Sequence, residues 1–218
     1  MPDEVKPRRR YDSTRRQAQA ARTRQDILAA AHDLFLERGY AGTTIVAIAK
    51  AAGVVVETVY RAYGSKAELF KAVVRVAVAG GAERVTVPAE ERPAIRAVIA
   101  ETDPRRQLEL YAATQPGIQA RAGPLLRVLI GAGAGDPELA AVWEQLEDER
   151  LAGMGRFAGL LADRGALRPG LSASEARDLL WTLNSLAVHD LLVLRLGWPP
   201  ERFRDWLAAA LARELRAG

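Results

Sequence analysis

AGVVVETVYRAYGSKAELF, residues 52–70, is the stretch whose reading decides the fold. Three successive valines suggest a buried strand, yet Glu57, Thr58, Tyr60 and Arg61 follow at once. A strand at 54–63 would stand alone among segments that all read as helical, with no partner for its backbone groups. As a helix starting near Val55, the same residues turn Val59 inward and leave Val56, Thr58, Tyr60 and Arg61 largely on other faces. The helix before it, Ile45 to Ala52, ends in Ala52-Gly53-Val54, the short glycine turn expected of a helix-turn-helix. In that motif the second helix enters the major groove, and residues near its start touch base edges. Val54 and Val59 are then expected in the core. Val55 and Val56 are left to meet thymine methyl groups.

Outward from this stretch the helical pattern continues. Ile27, Ala31, Leu34 and Phe35 fall on one helical face, and Gly39 supplies a stop. Thr43 or Thr44 can cap the next helix, with Ile45, Ile48, Ala49 and Ala52 inward. Ser65-Lys66-Ala67-Glu68 has the form of a capping box opening a helix to about Gly80. Asp103-Pro104 and Asp136-Pro137 each place a capping carboxylate before a proline suited to the first helical position. Ser172 to Glu175 is a second capping box, ahead of one long apolar helix to Leu196, and Pro199-Pro200 starts a last amphipathic helix through Leu215. No stretch shows the two-residue alternation of a half-buried strand. The fold class is all-α: an N-terminal three-helix helix-turn-helix domain and a larger C-terminal helical domain, with boundaries at 1–22 (a basic, flexible arm), 23–70 and 71–218.

Composition narrows the chemistry. The chain has 218 residues and no cysteine, which removes disulfides, thiol catalysis and cysteine-based zinc sites. Two histidines, His32 and His189, are too few for the common transition-metal sites, and no HExxH is present. Gly131 to Gly135 alternates glycine and alanine but follows no strand and lacks GxGxxG spacing, so it reads as a turn between helices. Glu144, Glu147, Asp148 and Glu149 read as a solvated helix face. We therefore expect no catalytic residue, no metal and no cofactor. The greasiest run, Leu179–Leu196, is interrupted by Asn184, Ser185, His189, Asp190 and Arg195, unlike a membrane span. No basic segment followed by an apolar one opens the chain, so a cytoplasmic protein is expected. Positive charge is concentrated in residues 1–24, where eight Lys and Arg face three acidic residues. Such basic arms commonly meet nucleic acid, with Arg8–Arg10 or Arg15–Arg16 the candidates for a minor groove, and a solubilising tail is the alternative.

The order of parts carries a family resemblance. An opening amphipathic helix is followed by GYAGTTIVAIAKAAGV, then TVYRAY, then GSKAELF, and over residues 22–75 the chain resembles the N-terminal domain of the TetR family of transcriptional regulators. The resemblance implies that Thr44 caps the second helix and binds phosphate. It also implies that Val55, Val56, Glu57 and Thr58 open the recognition helix, with Tyr60 and Arg61 on the DNA face and Lys66 meeting a phosphate at the start of the fourth helix. Tyr63 takes a position usually held by a core phenylalanine. Val55 and Val56 depart from the family, which often has serine or lysine there, and Glu57 is unusual near phosphates.

The family also implies a C-terminal domain that binds a small effector and pairs into a homodimer. The two C-terminal helices are the natural interface, burying Leu180, Leu183, Leu191, Leu194 and Leu207 across a two-fold axis, which in turn requires a palindromic double-stranded operator. The distinctive residues of the domain, and so the candidates for an effector pocket, are Trp143, Met154, Phe157, Trp181, Asn184, Ser185 and His189. A repressor released by an effector is the leading expectation. A regulator of the same fold without a small ligand, and a helical carrier or enzyme, are the alternatives.

Overall fold

The computed structural model describes residues 9–216, with side chains from residue 15. Its contacts divide the chain into two compact units, Met1–Val73 and Val74–Gly218. Among the described residues there is no strand, only an isolated bridge between Leu167 and Arg216.

The first unit contains α1 (Arg9–Gly42), α2 (Ile45–Ala51), α3 (Val56–Tyr63) and the start of α4 (Lys66–Ala79). Helix α1 begins well before Arg22, so residues 9–22 are helical rather than a flexible arm. Their Arg, Gln and Ala residues are good helix formers, and neither Gly nor Pro interrupts the helix before Gly39. Residues 1–8, including Arg8, lie outside the described residues, as do the side chains of Arg9 and Arg10. At Gly39 the backbone takes φ +68°, a value that suits glycine alone, and the regular helix breaks there. Phe35, Tyr40 and Phe70 meet in the core, with ring centroids 4.7 to 5.8 Å apart. Ile27, Ile48, Val59 and Leu69 complete that core. Ala52 and Val54, expected inside, are half-buried.

The second unit adds α5 (Pro93–Ala100), α6 (Pro104–Gly133), α7 (Pro137–Asp163), α8 (Ala173–Leu183), α9 (Leu186–His189) and α10 (Pro200–Leu215). Helix α6 packs against α7 and α10, and α7 against α8. The caps are as the sequence indicates: Asp103 accepts from the Arg105 amide at 3.0 Å, and Asp136 from those of Glu138 and Leu139 at 3.0 and 3.2 Å. Ser172 and Glu175 form a complete capping box. The box at Ser65 is only half made, because the Glu68 carboxylate turns to the Lys71 ammonium, 2.6 Å away, instead of the Ser65 amide. Helix α6 contains Pro116 and Pro124 in its interior and runs on through Gly131 to Gly133, leaving a shorter turn than the glycine-alanine stretch suggests.

The long apolar helix expected from residue 173 to Leu196 is divided. Asn184 ends α8, Ser185 is extended at ψ 154°, and a π-helical segment (Asp190–Arg195) follows α9. Both residues at the break have better uses for their side chains than a helix interior offers. The Asn184 amide donates to the Tyr111 hydroxyl at 2.8 Å, and the Ser185 hydroxyl accepts from the Val188 amide at 3.2 Å. No described helix is long and apolar enough to cross a membrane.

Candidate nucleic-acid interface

Three local devices present α3. Thr44, extended at φ −112°, accepts from the Ala47 amide at 3.1 Å and starts α2, as expected. Its neighbour Thr43 is buried, its hydroxyl within 2.9 Å of the Leu34 and Gly39 carbonyls, which holds the end of α1 against the start of α2. Gly53, at φ +66°, makes the turn between α2 and α3, and Val54 closes it by donating to the Ala49 carbonyl. Helix α3 is then held by one deeply buried side chain, Val59, and ended by Gly64 at φ +79°.

One face of α3 is open. Val55 is 64% exposed at the N-cap and Tyr60 51% exposed one turn on, while Glu57 and Arg61 are exposed and Val56 and Thr58 half-buried. An exposed valine and tyrosine on a short helix cost solvation that packing within the chain does not return. The arrangement suits methyl and aromatic contacts in a groove. Tyr63 faces inward instead: its hydroxyl donates to the Arg24 carbonyl at 3.2 Å, and burial raises its pKa. Val46, exposed on α2, is an apolar surface residue that sequence reasoning missed; its position outside the Ile45, Ile48 and Ala49 stripe was the available signal.

Lys66 is used differently from the expectation. Its ammonium donates to the Tyr40 carbonyl at 2.9 Å and the Thr43 carbonyl at 3.0 Å, and lies 3.9 Å from the centre of the Tyr40 ring. It binds the corner between α1 and α2, where carbonyls left over at a helix end need donors.

In the second unit the candidate effector residues fall into groups. Asn184, Met154 and Phe157 gather round Tyr111, which sequence reasoning missed: its ring packs on Phe157 at 4.9 Å, and its hydroxyl lies 3.1 Å from the Met154 sulfur. Full burial holds the Tyr111 phenol neutral. Trp181 lies beneath the Arg150 guanidinium, 4.8 Å from it, and that same arginine acts electrostatically on Tyr111. His189 belongs elsewhere, 3.0 Å from an Asp190 carboxylate oxygen and edge-on to Phe203. It lines a cleft of about 180 Å³ with Gln119 and Arg127. Ser185 is spent as a cap, and Trp143, half-buried on α7, joins neither group. A broader cleft of about 640 Å³ lies between α6 and α10, rimmed by Arg105, Arg106, Arg204 and Arg216. No cluster of metal-ligating side chains occurs among the described residues.

The interface residues expected from sequence need correction. Leu180 and Leu207 are fully buried in the unit's own core, because α8 and α10 pack on each other, so neither is available to a partner. Leu191, Leu194 and Leu196, in and after the π segment, are 57 to 64% exposed.

A helix held from behind by Val59, entered through a left-handed glycine and exposed at Val55, Glu57, Tyr60 and Arg61 defines a helix-turn-helix DNA-binding protein. Residues 27–73 match the family model for bacterial regulatory proteins of the tetR family. Over those residues the chain carries the DNA-binding domain of the TetR family of transcriptional regulators. Solved structures agree in fold over most of its length. NalD, the secondary repressor of the MexAB-OprM multidrug efflux pump in Pseudomonas aeruginosa, is 26% identical; the match covers 89% of this chain and 96% of NalD, with a TM-score of 0.67. A TetR-family regulator from Mesorhizobium loti is 20% identical over 89% of this chain and 95% of its own, at a TM-score of 0.65. One from Syntrophomonas wolfei is 17% identical over 87% and 92%, at 0.67. No curated protein sequence matches the chain.

Proposed function

We propose that the chain is a homodimeric repressor that leaves a palindromic operator when a small molecule occupies its second unit. The observation that carries the DNA-binding half is α3, with Val55, Glu57, Tyr60 and Arg61 exposed behind the Gly53 turn. Val55 and Tyr60 supply apolar contact to base edges, Thr58 and Arg61 polar contact, and Thr44 a phosphate contact at the start of α2. The similarity to NalD, itself a repressor, supports the direction of regulation. The exposed leucines of the π segment support pairing of two copies, because a cluster of large apolar side chains in water favours burial against a second surface. Such a regulator works in the cytoplasm, where the operator is.

Helix α4 carries the chain from the first unit into the second, so a ligand that favours one position of α4 changes the spacing of two reading heads. It weakens operator binding by as much as its affinity differs between the two states.

Fluorescence anisotropy of the full chain against DNA from upstream of its own gene, with scrambled DNA alongside, tests the reading. The expected result is binding to the upstream DNA at least about a thousandfold tighter than to the scrambled control, with log affinity falling steeply as log salt rises. Equal weak binding to both, repeated with a genomic fragment library, would overturn it.

A further inference from the structure

Among the described residues three buried side-chain polar atoms of the second unit have no partner, Gln119 Oε1 on α6 and, near each other in the chain, the Trp181 indole N–H, a donor, and the Asn184 Oδ1, an acceptor. Trp181 and Asn184 stand three residues apart, so they occupy the same face of the helix at the end of α8, one turn from each other. Asn184 is only 5% exposed, and its amide nitrogen is already committed to the Tyr111 hydroxyl. An unpaired donor and an unpaired acceptor, both out of water, each cost folding free energy that a complementary molecule returns.

We propose that this face of α8, with Tyr111, Met154, Phe157 and Arg150 around it, is the effector site, and that it takes a neutral, largely apolar molecule bearing a hydrogen-bond acceptor and a donor close together, as in an aromatic primary amide. The proposal rests on the ligand-responsive reading above. Charge decides the class. Arg150 is already matched by Glu147, with bonds of 2.9 and 3.1 Å, and is further engaged by the Trp181 carbonyl at 2.8 Å. An anion therefore finds no uncompensated cation here, and a cation finds no uncompensated carboxylate. The ligand's acceptor meets the Trp181 N–H and its donor meets the Asn184 oxygen, while its ring lies against Phe157. Met154 is the side chain that yields, being unbranched and soft at sulfur. Asn184 also ends α8, so occupancy bears directly on the break before α9 and the exposed leucines beyond it.

Benzamide is the probe and benzoate its charged counterpart of the same shape. Both are titrated into the full chain without DNA, followed by tryptophan fluorescence and thermal denaturation. Saturable benzamide binding in the millimolar range, with benzoate at least tenfold weaker, is the expected result. Trp181→Phe and Asn184→Leu, which remove the polar atoms and leave apolar side chains in their place, each weaken benzamide at least tenfold by thermal shift. Equal binding of the two probes, no saturable response up to the solubility limit, or undiminished binding by both variants overturns the site. Variants that melt higher while benzamide has no effect would mean that an internal water alone serves these atoms, which overturns it as well. Operator binding is measured separately without probe. A chain that takes benzamide but no operator keeps this site and loses the repressor reading; the reverse pattern loses the site alone.

Discussion

Replacing Lys66 by Met separates two roles for one side chain. In the structure its ammonium makes two charge-assisted hydrogen bonds, to the carbonyls of Tyr40 and Thr43, and covers the Tyr40 ring. Hydrogen bonds to charged groups contribute about 1.5–3 kcal/mol each, and a cation over an aromatic ring about 0.5–1 kcal/mol at a partly exposed site. Lys66 is half-buried, so water replaces part of what is lost when the ammonium is removed. Methionine keeps the stem's packing. Halving the sum for solvent leaves about 2–3.5 kcal/mol, and the lower end, about 2 kcal/mol, is the conservative net loss. For a chain of this size each kcal/mol moves the melting temperature by about 2–4 °C, so Lys66→Met should melt about 4–8 °C lower by circular dichroism. The companion measurement is operator affinity against salt, below the melting range. If Lys66 acts on the α1–α2 corner, the slope of log affinity with log salt stays as in the parent protein. A melting temperature unchanged within a degree, with a salt slope reduced by about one, would refute the reasoning and return Lys66 to a phosphate.

Tyr60→Ala should lower operator affinity at least tenfold and leave stability within about 0.5 kcal/mol, as for other surface substitutions; anisotropy and thermal melts check the two halves. Tyr63→Phe has the opposite profile, costing about 1 kcal/mol for the hydrogen bond to Arg24, with DNA affinity per folded molecule unchanged. Leu191→Glu combined with Leu194→Glu should shift sedimentation from dimer to monomer and abolish tight operator binding. Glu175 has its pKa lowered, first by the Ser172 hydroxyl and then by the Ser172 amide. A lowered folded-state pKa gives stability that is present above the unfolded carboxylate value and lost as pH falls through the folded one. Glu175→Gln should therefore flatten the acid limb of a melting-temperature profile taken from pH 6 to pH 3.

What the sequence made legible were features settled within a few residues. Gly39 and Gly53 mark backbone that only glycine takes easily, and Asp103, Asp136 and Ser172 cap the amides beside them. Positions 27, 48 and 59 fall on helical faces that the local period identifies. What was not legible shares a cause, which is distance along the chain. Asn184 breaks its helix because Tyr111, 73 residues earlier, accepts from its amide. Lys66 turns to carbonyls 23 and 26 residues before it, partners that its local sequence does not announce. Leu180 and Leu207 looked like interface residues because apolarity says that a side chain is covered, and not by what. In the candidate site, Met154, Phe157, Trp181 and Asn184 were found as the rarer residue types of their domain. Tyr111 was missed because it lies on a helix whose other residues drew no attention.

Pro116 and Pro124 in α6 bear on how the second unit folds. Each removes a main-chain donor and crowds the carbonyl four residues before it, at a cost of about 3 kcal/mol or more in a helix interior. A helix carrying two such residues cannot persist alone and cannot serve as an early nucleus. It forms when α7 and α10 arrive to pack on it, and it melts when they leave. Tyr111 sits on that helix, so whatever grips Tyr111 stabilises a cooperative whole rather than a local fold, and its binding should appear as a displacement of one unfolding transition instead of the ordering of a loop.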